Sequence, residues 1–384
     1  NAGPGAASGM VCFHAVDAVA LKAKGHDVIL CREETSPEDI RGMQASKGIL
    51  TARGGMTSHA ALVARQMGKV CVAGAGECLI DYKKATMTVN GQVIREGDKI
   101  SLNGTTGEVL MSALRTSPSA VLRHLFGPGR KKANDTVLAY EKLMSWADDY
   151  RTLGVRTNAD QPDQCKTAIA FGAEGVGLTR TEHMFFEGRK IDAVREMILA
   201  ADQEGRKKAL RKLLPLQRKD FEGIFRAMED RPVTIRTLDP PLHEFLPHEP
   251  KQMRKLAKDL GITAKALGAK IASLQEFNPM LGHRGCRLGI TYPEITRMQA
   301  RALFEAACKV AKETGIMPRP EIMIPLISTA KELELQAAIV HEVAAEVFTK
   351  KRFSVPYLVG TMIELPRAAL TAGEIAQTAE FFSF

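Results

Sequence analysis

Two hydrophobic rhythms divide the chain. Up to about Ser112, short apolar runs stand between turn residues: "DVILCRE", "GILTA", "KVCVAGAG", "ATMTVNG" and "GEVLM". Runs this short, bounded by glycine, asparagine or aspartate, predict strands. Helical periodicity is sparser there. "SPEDIRGMQAS" offers Ser36 as a cap and Pro37 at the first helical position. In "TARGGMTSHAALVARQMGK", Ala60, Val63, Ala64 and Met67 fall at i, i+3, i+4 and i+7, one apolar helix face. Thr57 or Ser58 fits its N-cap and Gly68 its stop.

From 113 to 150 the text turns charged and helical apart from "GPG", which predicts a helical linker. From 151 to 384 the runs "GVRTNA", "GVGLTR", "PVTIRTLD", "NPMLGHRG", "EIMIPLI" and "YLVGTMIE" read as strands alternating with amphipathic helical stretches. That alternation implies parallel pairing, hence an α/β sheet or a (β/α)8 barrel. The expected organisation is a small domain at 1–112, a linker at 113–150 and a barrel at 151–384. These six strands, with a seventh beginning in "FFSF", do not close an eight-stranded barrel. An open edge of buried strand is an aggregation liability, so we expect a chain cut at both ends.

Composition narrows the function. With 45% hydrophobic and 25% charged residues the chain is an ordinary globular one. The formal net charge of +9 favours anionic partners, phosphorylated small molecules or nucleic acids, unless the basic surface is only solvated. Aromatics are 5% and do not alternate with basic residues, which argues against stacking on single-stranded nucleic acid. The seven cysteines are scattered, odd in number and form no CxxC pair. We therefore expect neither a zinc site nor disulfides, but reduced thiols in a soluble intracellular protein. No charged-then-apolar leader and no apolar run near about eighteen residues is visible, so neither secretion nor membrane spanning is expected.

Candidate chemistry sits at element ends. His59 falls in the first turn of its helix, where free N–H groups and the positive dipole end face outward. Such an end binds phosphate. The same dipole disfavours imidazolium and keeps a ring nitrogen nucleophilic. Gly54 and Gly55 would let a bulky anion approach the backbone. The pattern alone leaves two readings open: a histidine that holds a phosphoryl group, or a hydrogen-bonded histidine at a capped helix start.

Further on, Arg180, Arg236 with Asp239, and Arg284 each follow a predicted strand, where a barrel places its active site. Guanidinium forks match carboxylate and phosphate oxygens two at a time. "GAEGVGLTR" misses G-x-G-x-x-G because Arg180 stands at the third position, so a dinucleotide site is poorly supported. Glu182 offers Arg180 a nearby acid. Glu364, behind the apolar run "YLVGTMI", needs a cation, and either Mg²⁺ or Arg367 would serve.

Together these motifs resemble the family of enzymes that interconvert phosphoenolpyruvate and pyruvate through a phosphohistidine. "GGMTSHAALVAR" is similar to the family's phosphohistidine signature. "GVGLTRTEHMFF", "RTLDPPLHEF", "NPMLGHRGCRLG" and "GTMIELPRAAL" resemble its phosphoenolpyruvate-binding barrel. The resemblance implies that His59 carries the phosphoryl group on a swivelling domain. It implies that Arg180, Arg236 and Arg284 clamp phosphoenolpyruvate and that Glu364 binds Mg²⁺.

Met56 stands where phosphoenolpyruvate synthase and Enzyme I of the sugar phosphotransferase system usually have Arg. With "LDPPLHEFLP", it narrows the resemblance to the branch that turns pyruvate, ATP and phosphate into phosphoenolpyruvate, AMP and pyrophosphate. Phosphoenolpyruvate synthase, with water as acceptor, is the nearest alternative. A non-catalytic phosphocarrier that receives phosphate on His59 from a partner is the alternative of another class, and nucleic-acid binding ranks last.

Thr57 aligns with a threonine phosphorylated in plant members of the branch as an off-switch, or else caps the helix. The resemblance also implies a homodimer in cytoplasm, glycosome or plastid. It implies an ATP-grasp domain missing before this chain. An Asn–Asp pair that supplies the second Mg²⁺ ligand, and a cysteine acid, would be missing after it. On that reading this chain alone completes neither half-reaction.

Overall fold

A computed structural model describes residues 2–127, 133–186, 190–247, 250–259, 261–274, 278 and 281–384. In the first part, β1 (Ala6–Cys12), β2 (Val28–Arg32), β3 (Gly48–Thr51) and β4 (Val70–Ala73) pair in parallel in the spatial order β4-β3-β2-β1. Three short strands, β5 (Leu79–Asp81), β6 (Thr86–Val89) and β7 (Gln92–Arg95), form a separate antiparallel sheet. β8 (Lys99–Asn103) and β9 (Glu108–Leu110) then extend the first sheet beyond β1, antiparallel.

The uninterrupted run Val28–Cys31 has a simple cause: both sides of its strand are covered. Ile29 and Cys31 pack with Met87 and Ile94 on one face. Val28 and Leu30 pack with Ala18, Met43, Ala60 and Ala64 on the other. Strands buried on both faces lose the apolar–polar alternation. Full burial of each such aliphatic side chain contributes about 1.5–3 kcal/mol. The helices supplying the second face are Ala15–Ala23, Ile40–Ala45 and His59–Gln66.

Local details depart from expectation. "SPEDIRGMQAS" opens as one 3-10 turn, Pro37–Asp39, and its α-helix starts only at Ile40. Ser36 does not cap it, because its N–H and Oγ donate to Asp39 Oδ2 at 3.0 and 3.4 Å. β1 escaped the sequence reading because "AASGMVC" is mostly small residues with little strand preference. In the linker region Ala120–Phe126 and Asp135–Tyr150 are helical, and Asn134 caps the second by accepting the Val137 N–H at 3.0 Å. Pro128 and Gly129 of "GPG" lie outside the described residues.

The chain divides into two compact units, Asn1–Arg151 and Thr152–Phe384. In the second, β10 (Arg156–Asn158), β11 (Gly175–Arg180), β12 (Pro232–Arg236), β13 (Arg319–Ile324), β14 (Leu358–Met362) and β15 (Phe382–Ser383) lie side by side in sequence order, all parallel. Helices run between them, as in a (β/α)8 barrel, and the class is mixed α/β. Two of these helices, Gln203–Met228 and Pro293–Thr314, run parallel and are laced by ion pairs. Arg206–Glu294 (2.6 Å), Arg218–Glu305 (2.8 Å), Lys309–Glu222 (2.7 Å) and Arg226–Glu313 (2.5 Å) follow one another along them.

One expected strand is not a strand. In "NPMLGHRG", Pro279 and Met280 lie outside the described residues, and Leu281 to His283 form a turn. Gly285–Thr291 is helical with Arg284 as its N-cap. The N–H of Gly285 turns to Asp239 O at 3.1 Å. Gly285 has φ +56, and a Cβ there would press on Leu326 at 3.0 Å. A left-handed residue in that contact suits glycine and ends extended pairing.

Candidate functional site

His59 opens the eight-residue helix His59–Gln66 behind β3, as the apolar spacing predicts. Ser58, with extended φ −66 and ψ 158, is the cap and accepts the Ala61 N–H at 3.4 Å. Of the two candidate caps the structure takes Ser58 and leaves Thr57 exposed. The His59 ring is held through Nδ1 by Thr35 Oγ1 at 3.1 Å, and Thr35 is itself buried. A histidine whose Nδ1 is fixed by a neighbour has its ring orientation set before any ligand arrives.

The two glycines do different work. Gly54 has φ +102, and a Cβ there would meet Ser58 Cβ at 2.8 Å. Gly55 has open space where a Cβ would go. Gly54→Ala therefore costs about 1–3 kcal/mol through strain and a shifted cap. Gly55→Ala stays within about 0.5 kcal/mol. Thermal unfolding of the two variants checks this; equal melting temperatures would contradict it.

In the second unit, the ends of adjacent strands bring Arg180 of β11 and Arg236 of β12 into direct register. Arg180 donates its backbone N–H to Asp160 Oδ1 at 2.7 Å. Among the described residues its guanidinium has no ion pair. Glu182 does not pair with Arg180; its Oε1 accepts from Arg236 Nη2 at 2.5 Å. Arg236 Nη1 lies 2.9 Å from Asp239 Oδ2, and Arg284 Nη2 donates to the same oxygen at 2.7 Å. Arg284 Nε also reaches Asp239 O at 3.2 Å.

This network is buried. Arg236, Glu182 and Asp239 are 8%, 5% and 3% exposed. Burial works against the Arg236 charge, yet Glu182 and Asp239, with Glu364 further off, hold its guanidinium above the ordinary arginine range. Three polar atoms have no partner: Arg236 Nε, Glu182 Oε2 and Asp239 Oδ1. Buried polar groups are seldom left so. A rigid fork with a spare donor suits an anion with several oxygens.

Glu364, two residues past β14, accepts the Leu326 N–H at 2.8 Å. Leu326 is a buried, non-glycine residue at φ +59. Such backbone strain clusters at functional sites. Burial pushes the Glu364 carboxyl above its usual range, and Asp239 adds to it; the Leu326 N–H, Arg236 and Arg284 act the other way. A carboxyl whose folded pKa is raised gives its full stability below the unfolded pKa and loses it as pH rises through the folded value. Glu364→Gln is thus expected to melt higher than the parent at neutral pH, with the gap closing as pH falls through the raised folded value and gone below 4.5, the ordinary value. A gap that widens on acidification would contradict the assignment.

Two neighbours escaped the sequence reading. Buried Asp160, which holds the Arg180 backbone, also meets His183 Nδ1 at 2.7 Å. His183 follows Arg180 by three residues, a spacing that sequence alone reads as one helical turn. The seven cysteines, by contrast, are free and buried. Burial pushes the Cys12, Cys165 and Cys286 thiols up to about 12 and Cys71 to about 11. None of these four offers a thiolate near neutral pH.

Among the described residues no three His, Cys, Asp or Glu side chains gather to hold a metal by themselves. Glu364 still fits a hard cation, because its charge is disfavoured where it stands and a divalent ion takes one or two carboxylates plus substrate oxygens. Among the described residues no helix is long and apolar enough to cross a membrane.

Residues 134–384 match the family described as PEP-utilising enzyme, PEP-binding domain, and residues 24–107 match the PEP-utilising enzyme, mobile domain. Over its whole length the chain is 52% identical to a pyruvate, phosphate dikinase of Clostridium symbiosum and 52% identical to one of Giardia intestinalis, covering 42% of each. It is 53% identical to a chloroplastic pyruvate, phosphate dikinase of Flaveria trinervia, covering 39%. The chain thus spans about two fifths of the length of these relatives.

Proposed function

Because the chain belongs to the PEP-utilising enzyme family, we propose that it is the phosphoryl-carrying and phosphoenolpyruvate-binding part of a pyruvate, phosphate dikinase. Residues 1–112 are the swivelling carrier, 113–150 the linker and 151–384 the barrel. The observation that carries this reading is the buried Glu182–Arg236–Asp239–Arg284 network with Arg180 in register beside it. It is a preorganised guanidinium site at strand and helix ends, on a chain that also presents a fixed histidine at a capped helix start.

In this reading ATP and phosphate react in another domain of the whole protein and leave a phosphoryl group on His59. The P–N bond to the imidazole then breaks as a P–O bond forms to the enolate oxygen of pyruvate, giving phosphoenolpyruvate. The methyl proton of pyruvate passes to an acid–base group that family resemblance places outside this chain. Arg180, Arg236 and Arg284 hold the phosphoryl and carboxylate oxygens, and catalysis is mostly positioning and charge stabilisation. Glu364 would hold Mg²⁺, which when bound offsets the negative charge of the enolate and phosphoryl oxygens. Thr57, exposed beside His59, is the proposed regulatory phosphorylation site; a dianion there would repel the incoming phosphoryl group.

The test uses the intact protein. Phosphoenolpyruvate labelled in its phosphate should leave acid-labile, alkali-stable label on the peptide containing His59. Net synthesis from pyruvate and ATP should require inorganic phosphate. Label elsewhere sinks the carrier assignment, and synthesis without phosphate points to the water-using synthase.

A further inference from the structure

The turns that carry the arginine cluster meet at one buried amide. Gln299, on Pro293–Thr314, is 3% exposed. Its Oε1 accepts the Leu238 N–H at 2.8 Å, and its Nε2 donates to Thr181 Oγ1 at 3.1 Å. Leu238 adjoins Asp239. Thr181, also buried, stands between Arg180 and Glu182. The helix bearing Gln299 follows directly on Gly285–Thr291, which Arg284 caps. One side chain therefore ties together the segments that present all five groups.

Both ends of the amide are fixed by chemistry. A backbone N–H only donates, so the carbonyl end faces Leu238 and the NH₂ end faces the threonine hydroxyl. β12 ends at Arg236, and the last sheet-like bond from this segment is Thr237 N–H to Met323 O at 3.0 Å. The Leu238 N–H is thus past the ladder, and an unpaired buried N–H is costly. On the helix itself the next residues, Ala300, Ala302 and Leu303, are core. A leucine would fill position 299 without burying a polar side chain, but it would leave the Leu238 N–H unpaired. The amide is explained by the two turns it joins.

We propose that Gln299 is a positioning residue for phosphoenolpyruvate: it sets the Arg180–Glu182 turn against the Leu238–Asp239 turn, and through Glu182 and Asp239 it aims Arg236 and Arg284. The inference rests on the proposed function, and the test separates the two. In the intact protein, Gln299→Leu keeps the volume and removes both hydrogen bonds. The KM for phosphoenolpyruvate should rise on the order of tenfold, the effect of about one lost hydrogen bond. Labelling of His59 from ATP should stay within about twofold.

Gln299→Glu supplies the same pair of bonds once protonated: its carbonyl accepts from Leu238 and its O–H donates to Thr181. Its KM should approach the parent value as pH falls, because burial favours the neutral acid. An unchanged KM in Gln299→Leu overturns the proposal. So does an equal loss in both half-reactions, which marks general destabilisation, or a Gln299→Glu variant that tracks Gln299→Leu at every pH. A parent protein that takes no label on His59 from either side overturns the functional reading, and the proposal with it.

Discussion

On the proposed function, an intact protein carrying His59→Ala should make no phosphoenolpyruvate from pyruvate, ATP and phosphate, a loss of at least about four powers of ten. The size follows from the role. A covalent carrier is obligatory, and its removal leaves neither half-reaction a place to deposit the group. The adjacent hydroxyl cannot substitute: Ser58 is engaged as the helix cap and donates its Oγ to Gly55 O at 2.8 Å. The fold should survive. Alanine is the best helix former, the cap stays, and the Thr35 hydroxyl loses a partner at about 1 kcal/mol. A steady-state assay with a melting curve decides the matter. If the variant melts several degrees lower yet turns over normally, His59 is the capped structural histidine that sequence pattern equally allowed.

Arg236→Met should be almost as severe, and for two separable reasons. Among the described residues the guanidinium is the one cation that meets Glu182, and it shares Asp239 with Arg284. Without it, Glu182 is left as a buried carboxylate without its cation, at about 3–5 kcal/mol. On the proposed function phosphoenolpyruvate also loses an anchor, so kcat/KM should fall by about three powers of ten. The double variant Arg236→Met with Glu182→Gln separates the two causes. Stability should return in large part, while phosphoenolpyruvate turnover should not. Arg236→Lys should rescue little, since a point charge cannot bridge two carboxylates as a fork does. Chemical denaturation beside steady-state kinetics reads both effects, and recovery of turnover in the double variant would rule out direct contact with substrate.

In the second unit β11, β12 and β14 were legible because each is a largely apolar run with a charged residue at or just behind its end, and β13 because it is a plain apolar run. Arg180 and Arg236 were legible for the same reason. Arg284 was placed in the right neighbourhood on the wrong element, since glycines around it can flank a strand or start a helix. What sequence could not supply was partnership. Glu182 lies two residues from Arg180, yet it serves Arg236, 54 residues away in the chain. Asp160 and His183 are separated by 23 residues, and Gln299 from Thr181 by 118. Such contacts depend on which strand ends are adjacent, and periodicity carries no information on that. In the first unit β1 stayed hidden because small residues mark close packing only once a neighbour is known.

The buried cysteines have a practical consequence for spectroscopy. With seven free thiols all shut away in the core, and the four named above titrating far above neutrality, the natural chain offers maleimide and nitroxide reagents very little to attack. A single cysteine introduced at an exposed position, Thr57→Cys beside the histidine or Tyr150→Cys at the end of the linker helix, would be the dominant reactive thiolate. Paired with Leu370→Cys, an exposed position of the second unit, Thr57→Cys would let the distance between the two units be read within this chain.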